Sequence, residues 1–132
     1  MSVREKVSGD VSIIMVRGNL LGGKETTEVH ELVKQLIASG KTKVVFDLSR
    51  VKWMNSSGMG MLMACYSTMS NVNGKIGIAA MSEKVEDVMQ ITKINTLFEN
   101  FDTVQQAVKF FNQPKNKSGY LNSIKRIFSF NK

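Results

Sequence analysis

The chain has 132 residues and a mass of 14.7 kDa, room for one domain. Hydrophobic residues make up 42% and charged residues 22%, with one Pro against ten Gly, which excludes a disordered, collagenous or repeat chain. The net charge of +7 is uneven: residues 1–112 carry thirteen Lys/Arg against eleven Asp/Glu, whereas Lys115 to Lys132 holds five basic residues and no acid. A body balanced at +2 offers no broad basic face, so no nucleic acid is expected as a partner. Cys65 is the single cysteine and cannot form an internal disulfide. No charged-then-apolar leader opens the chain, and no apolar run approaches the roughly 20 residues of a membrane span. A cytoplasmic protein is the expectation.

Taken in chain order, a short strand near Ser2 to Val7 pairs through a Gly9-Asp10 turn with Val11 to Arg17, a β-branched apolar run. A Gly-rich bend, Gly18 to Gly23, follows. Val29, Leu32, Val33, Leu36 and Ile37 then fall at the spacing of an amphipathic helix that ends at Ser39-Gly40. Lys43 to Leu48 is apolar enough for a strand covered on both faces. A loop through Asn55, Ser56, Ser57 and Gly58 leads into a helix over Met59 to Ser70. Asn73-Gly74 is a turn, and Lys75 to Met81 is the next strand. Ser82 caps a short helix with Val85, Val88 and Met89 inward. Asp102 and Gln105 predict a capping box for a last helix, with Val104, Ala107, Val108 and Phe111 as its inner stripe. The order β-β-α-β-α-β-α-α predicts an α/β domain over 1–112: a small mixed sheet of about four strands, helices mainly on one face. Pro114 marks the junction to a tail over 113–132.

Candidate chemistry is sparse. His30 is the only histidine and stands without a Cys or second His nearby, so a satisfied surface imidazole is expected and no metal site. Cys65, between Ala64 and Tyr66, reads as a small buried hydrophobe. Gly18-Asn19-Leu20-Leu21-Gly22-Gly23-Lys24 matches GxxxxGK, the pattern of a phosphate-binding loop. It fails at Glu25, which replaces the Ser/Thr that would ligate Mg²⁺, and a plain Gly-rich turn is the better reading. No catalytic residues and no cofactor are expected.

The informative stretch is Val51 to Met63, VKWMNSSGMGMLM, between a strand and a helix. Its hydroxyls stand where backbone N–H groups are unpaired and the helix dipole is positive, which suits a phosphate made on a serine. Gly58 and Gly60 keep the surface flat for an approaching protein. Equally, Asn55 or Ser56 is simply the N-cap that a helix start needs. Trp53 is expected to pack beneath the loop. Met54, Met59, Met61, Met63 and Met69 cluster around the helix as adaptable core filling, or in part as an exposed partner surface.

The segment KVVFDLSRVKWMNSSGMGMLM resembles the signature of STAS domains, the anti-sigma-factor antagonists, in which a strand ending Asp-Leu precedes V-x-h-h-D-S-S-G-h-G-x-L (h, hydrophobic). The likeness runs from about Val3 to Phe111 and includes the Gly-Asn-Leu bend, the Asn-Gly turn before KIGIAAM, and ITKINTLFENFDTVQQAV near the end. It implies a non-enzymatic regulator that binds an anti-sigma factor with serine kinase activity and so releases a sigma factor. By position it implies phosphorylation at Ser56, with Ser57 as fallback, and removal of the phosphate by a PP2C-type phosphatase. Implied partner contacts are Gly18, Asn19, Leu20 and Leu21 with Asn55, Ser56, Ser57, Gly58, Met59 and Gly60. Asn55 departs from the family's Asp; it caps a helix equally well but removes a charge. The alternative is a STAS scaffold or sensor-complex module that is never phosphorylated.

The tail lies outside the resemblance. Tyr120, Leu121, Ile124, Ile127 and Phe128 fall at helical spacing among basic residues, a pattern for an anionic membrane surface or a partner groove. Docking on its own domain, or disorder, would fit the same residues.

Overall fold

The computed structural model describes residues 2–113. Pro114 and the helix expected through Tyr120 to Phe128 lie outside the described residues. β1 (Ser2–Ser8) and β2 (Val11–Arg17) form an antiparallel hairpin, with Gly9 at φ +61 in the turn. α1 (Lys24–Ala38) carries the chain to β3 (Lys43–Arg50), and α2 (Ser56–Ser70) carries it to β4 (Lys75–Ala79). Both crossovers join parallel neighbours. α3 (Glu83–Ile91), a 3₁₀ turn (Ile94–Thr96), β5 (Glu99–Phe101) and α4 (Val104–Phe111) complete the domain. The sheet order is β1-β2-β3-β4-β5.

Alternation along the strands explains the two-sided core. Ile14, Val16, Val44, Phe46, Leu48 and Ile78 face α1, α2 and α3, which contribute Val29, Val33, Leu62, Met69, Val85 and Met89. Val11, Ile13, Val45 and Ala79 face the other way, where Ala107 and Phe111 of α4 cover them. Three helices therefore lie on one face and one on the other. Ser82 Oγ accepts from the Val85 N–H at 3.3 Å, so the expected cap of α3 is present. His30 is satisfied as well: its Nε2 lies 2.9 Å from Thr68 Oγ1 and ties α1 to α2.

The expected small mixed sheet of about four strands is present, with helices mainly on one face, and it carries one further short strand, β5, whose sequence Glu-Asn-Phe has no apolar alternation to read. This strand is made by pairing Gly77 with Glu99 and Ala79 with Phe101, while Asn100 Nδ2 donates to Asn95 O at 2.7 Å. One expectation is corrected: the Asp102–Gln105 capping box does not form. Phe101 is held in the strand and accepts the Ala80 N–H at 3.0 Å, so the chain stays extended one residue longer. Thr103 becomes the cap, its Oγ1 accepting from the Gln106 N–H at 3.1 Å.

α4 reaches the sheet because Gly77 has no side chain. A Cβ there would stand 2.9 Å from Phe111 Cε2 and 3.1 Å from Phe101 Cε2. Gly77→Val is therefore expected to overpack this layer and lower stability by about 2 kcal/mol, measured by urea unfolding. Smaller loss at Gly77→Ala, where only the ring edges must give, completes the comparison.

Cys65 sits wholly inside the α2 face, with its Sγ 3.6 Å from Met61 Sδ. Burial without a charged partner pushes its thiol from 9.0 up to about 12. The unfolded chain thus ionises first as pH rises, so this thiol favours folding below about pH 9 and the advantage is lost progressively toward pH 12. A disulfide-exchange thiol reagent at about pH 8 should leave the native protein unlabelled and label it stoichiometrically in denaturant. Rapid labelling of the folded chain would contradict this burial.

Candidate partner-binding site

The two connections that leave the C-terminal ends of β2 and β3 are joined to each other by backbone hydrogen bonds. Gly18 N donates to Arg50 O at 3.1 Å, Leu20 N to Trp53 O at 3.0 Å, and Asn55 N to Leu20 O at 3.1 Å. Leu20 and Met54 form an isolated parallel bridge, and both side chains are fully buried. Extended backbone turns alternate residues to opposite sides, so Leu21 and Trp53 emerge where Leu20 and Met54 go in. Leu21 is 48% exposed and Trp53 46% exposed. The expectation that Trp53 packs beneath the loop is thus corrected: Met54 fills that place.

α2 begins at Ser56, three residues before the helix expected from the Met59 periodicity, and its cap is Asn55. Asn55 Oδ1 accepts from the Gly58 N–H at 3.0 Å, and Asn55 Nδ2 donates to Leu21 O at 3.0 Å. Only this orientation of the amide satisfies both neighbours, since Gly58 offers a donor and Leu21 an acceptor. A carboxylate at this position would keep the cap and lose the donor to Leu21. The asparagine therefore does what an aspartate cannot: it clasps the Gly18–Leu21 bend to the helix start.

Glycines set the closeness of the two segments. A Cβ on Gly58 would collide with Leu20 O and lie 2.8 Å from Leu20 Cβ. Gly58 is buried, and its bareness serves contact within the domain instead of a flat outer surface. Gly22, at φ +94, leaves room for Ser57, whose Cβ would be 2.8 Å from an added Cβ. Gly60 has nothing within 4 Å and is open to an approaching molecule.

The expected contact residues thus divide. Leu20 and Gly58 are buried and hold the ridge, while Asn55 and Met59 are half-buried. Asn19, Leu21, Ser56, Ser57 and Gly60 are exposed, and Gly18 lies between these groups. Ser56 is the first helical residue of α2, where the N–H groups of Ser56 and Ser57 have no intrahelical acceptor. Met54, Met61 and Met69 are core, and Met63 is the exposed methionine of the helix.

The Gly18 and Leu20 amides of the GxxxxGK stretch are engaged by Arg50 O and Trp53 O, so they are not free to cradle a phosphate. No cluster of His, Cys, Asp or Glu able to hold a metal occurs among the described residues. No described helix is long and apolar enough to cross a membrane. A cleft of about 540 Å³, lined by Asp10, Ser12, Lys41, Lys43 and Asn112, opens at the opposite end of the parallel strands and includes none of the ridge residues.

The STAS domain family model matches residues 2–107. The chain belongs to the STAS domain family. A Thermotoga neapolitana protein whose name proposes it as an anti-sigma factor antagonist is 25% identical over 75 residues, covering 57% of this chain and 66% of that protein. A Thermotoga maritima crystal structure of a protein similarly named superposes with TM-score 0.74 at 23% identity, over 81% of this chain and 92% of that one. The Bacillus cell fate determinant SpoIIAA in its phosphorylated form superposes with TM-score 0.65 at 18% identity, over 82% and 97%. These structures share the STAS fold with this chain.

Sequence reading missed Trp53 as a surface residue, along with the cations that flank it. The signal was there: residues 17–24 and 50–57 contain Arg17, Lys24, Arg50 and Lys52 and no carboxylate. It is hard to see because the two segments meet only in the fold.

The clasp gives a specific expectation. Asn55→Asp should destabilise the domain by about 1 kcal/mol despite retaining a good N-cap, because Leu21 O loses its donor and faces a carboxylate. Asn55→Ala should cost about 2 kcal/mol, since cap and clasp are lost together. Equal stability of wild type and Asn55→Asp in urea melts would show the Leu21 bond to be inconsequential.

Proposed function

We propose that this STAS domain is an anti-sigma-factor antagonist: a binding protein, not an enzyme, that engages an anti-sigma factor through the ridge Asn55–Gly60 and the bend Gly18–Leu21. The observation that carries the reading is Ser56, exposed at the first position of α2 on a ridge with an open glycine, Gly60, beside it. The names of the Thermotoga relatives support it. On this reading the anti-sigma factor is also a serine kinase. The Ser56 hydroxyl takes the terminal phosphoryl group of a nucleoside triphosphate held by that partner, and a PP2C-type phosphatase later hydrolyses it. Ser57, which lies beside Gly22, is the fallback acceptor.

Phosphorylation is a binding switch in this scheme, not a folding switch. A phosphate adds a charge of about −1.5 to −2 at neutral pH. At Ser56 it would lie beside unpaired N–H groups at the start of α2, which stabilise it locally without repacking the core. The new charge falls in the middle of the contact surface, so the partner must desolvate it to bind. The Asn55 clasp favours a second reading, a STAS scaffold that is never phosphorylated, because it removes the negative charge that the family carries beside the serine.

Incubation with the anti-sigma factors of the source organism and ATP, followed by intact mass and site mapping, decides between them. One phosphate on the wild type and none on Ser56→Ala is expected, with Ser56→Asp losing partner binding while Ser56→Ala keeps it. Partner binding with no phosphate under any condition would establish the scaffold reading instead.

A further inference from the structure

We infer that the exposed pair Leu21 and Trp53, borne on the same two joined connections as Arg17, Arg50, Lys24 and Lys52, is the anchor of the partner site and that it receives an acidic face of the anti-sigma factor. The inference rests on the reading above and adds the chemistry of the partner's surface. Its basis is a group of cations that form no ion pair among the described residues. Arg17 and Arg50 are opposite one another in the β2–β3 register, and both are exposed. Like charges placed opposite on neighbouring strands repel, and neither forms an ion pair with a described carboxylate. The one acid on the adjoining stretch of β3, Asp47, turns its Oδ1 to the Ser49 N–H at 3.0 Å. Lys24 and Lys52 are exposed as well, and no carboxylate occurs in residues 17–24 or 50–57.

The apolar centre is placed as an interface anchor requires. Trp and Arg dominate the binding energy of protein interfaces, generally where a rigid apolar residue is surrounded by polar ones. Leu21 and Trp53 are borne on backbone fixed by the Leu20–Trp53 and Asn55–Leu20 bonds and by the Asn55 clasp, so little ordering remains for the partner to impose. Two side chains on a rigid backbone fit a shaped recess in a protein better than a fluid lipid surface, which favours an extended apolar face. Charge complementarity then specifies Asp and Glu around that recess. The same arrangement gives phosphorylation of Ser56 a physical route: its negative charge offsets the cations that attract the acidic partner.

Trp53 is the only tryptophan in the chain, so its fluorescence reports this site alone. The full chain is titrated with each anti-sigma factor of its source organism, and separately with phosphatidylglycerol vesicles, at about 50 mM and about 300 mM salt. One anti-sigma factor is expected to shift Trp53 emission to shorter wavelength and to bind roughly tenfold more weakly at the higher salt. Arg17→Gln/Arg50→Gln should slow association roughly tenfold at low salt with unchanged melting temperature, whereas Trp53→Ala should speed dissociation. Binding with unmoved Trp53 emission and all these variants within about twofold of wild type would overturn this anchor and leave the antagonist reading intact. Binding to vesicles but to no anti-sigma factor would overturn both in favour of a lipid surface. Binding to neither would also overturn both.

Discussion

The ridge depends on a single buried leucine. Leu20 sends its N–H to Trp53 O and receives the Asn55 N–H on its own carbonyl, while its side chain is sealed beneath Gly58. These contacts bring the β2–α1 and β3–α2 connections into one surface at the C-terminal ends of parallel strands, the end at which open α/β sheets usually build their sites. Everything distinctive about that surface follows from the pairing. It fixes which residues point outward, where α2 begins, and how near the two groups of cations come. A glycine at 58 is the condition for it, because any side chain would push the helix start off the bend.

Asn55 shows how one atom can change the balance within a shared motif. A helix cap needs only an acceptor, and Asn and Asp provide it equally. The other half of the amide is what differs, and in this chain it donates to Leu21 O. The substitution exchanges a negative charge on the ridge for a mechanical link across it. Residues 17–24 and 50–57 then contain four cations, Arg17, Lys24, Arg50 and Lys52, and no carboxylate. That sign governs which partners can approach quickly and how a phosphate at Ser56 would be felt.

Division of labour between the two sheet faces keeps this surface separate from stability. The face under α1, α2 and α3 carries the larger apolar cluster, and α4 closes the second face through Phe111 over Gly77. Neither cluster draws on Ser56, Gly60, Leu21 or Trp53. Side chains on the ridge can therefore be exchanged at little cost to the core.

Much was legible in the sequence because the information is local. β-branched runs gave β2, β3 and β4, the i, i+3, i+4 spacing gave α1, and Ser82 and the Asn73-Gly74 turn lay where expected. The likeness to STAS domains pointed to the Asn55–Gly60 stretch and the Gly18–Leu21 bend, two segments that the fold joins. What the tertiary structure decided is non-local. β5 exists only because Gly77 and Ala79 offer it a partner, and Thr103 replaces Asp102 as the cap only because that strand holds Phe101. Trp53 is outside because Met54 is paired with Leu20, a residue far away in the chain. Periodicity records which residues are apolar; which of two adjacent apolar residues is buried depends on the strand that arrives beside them.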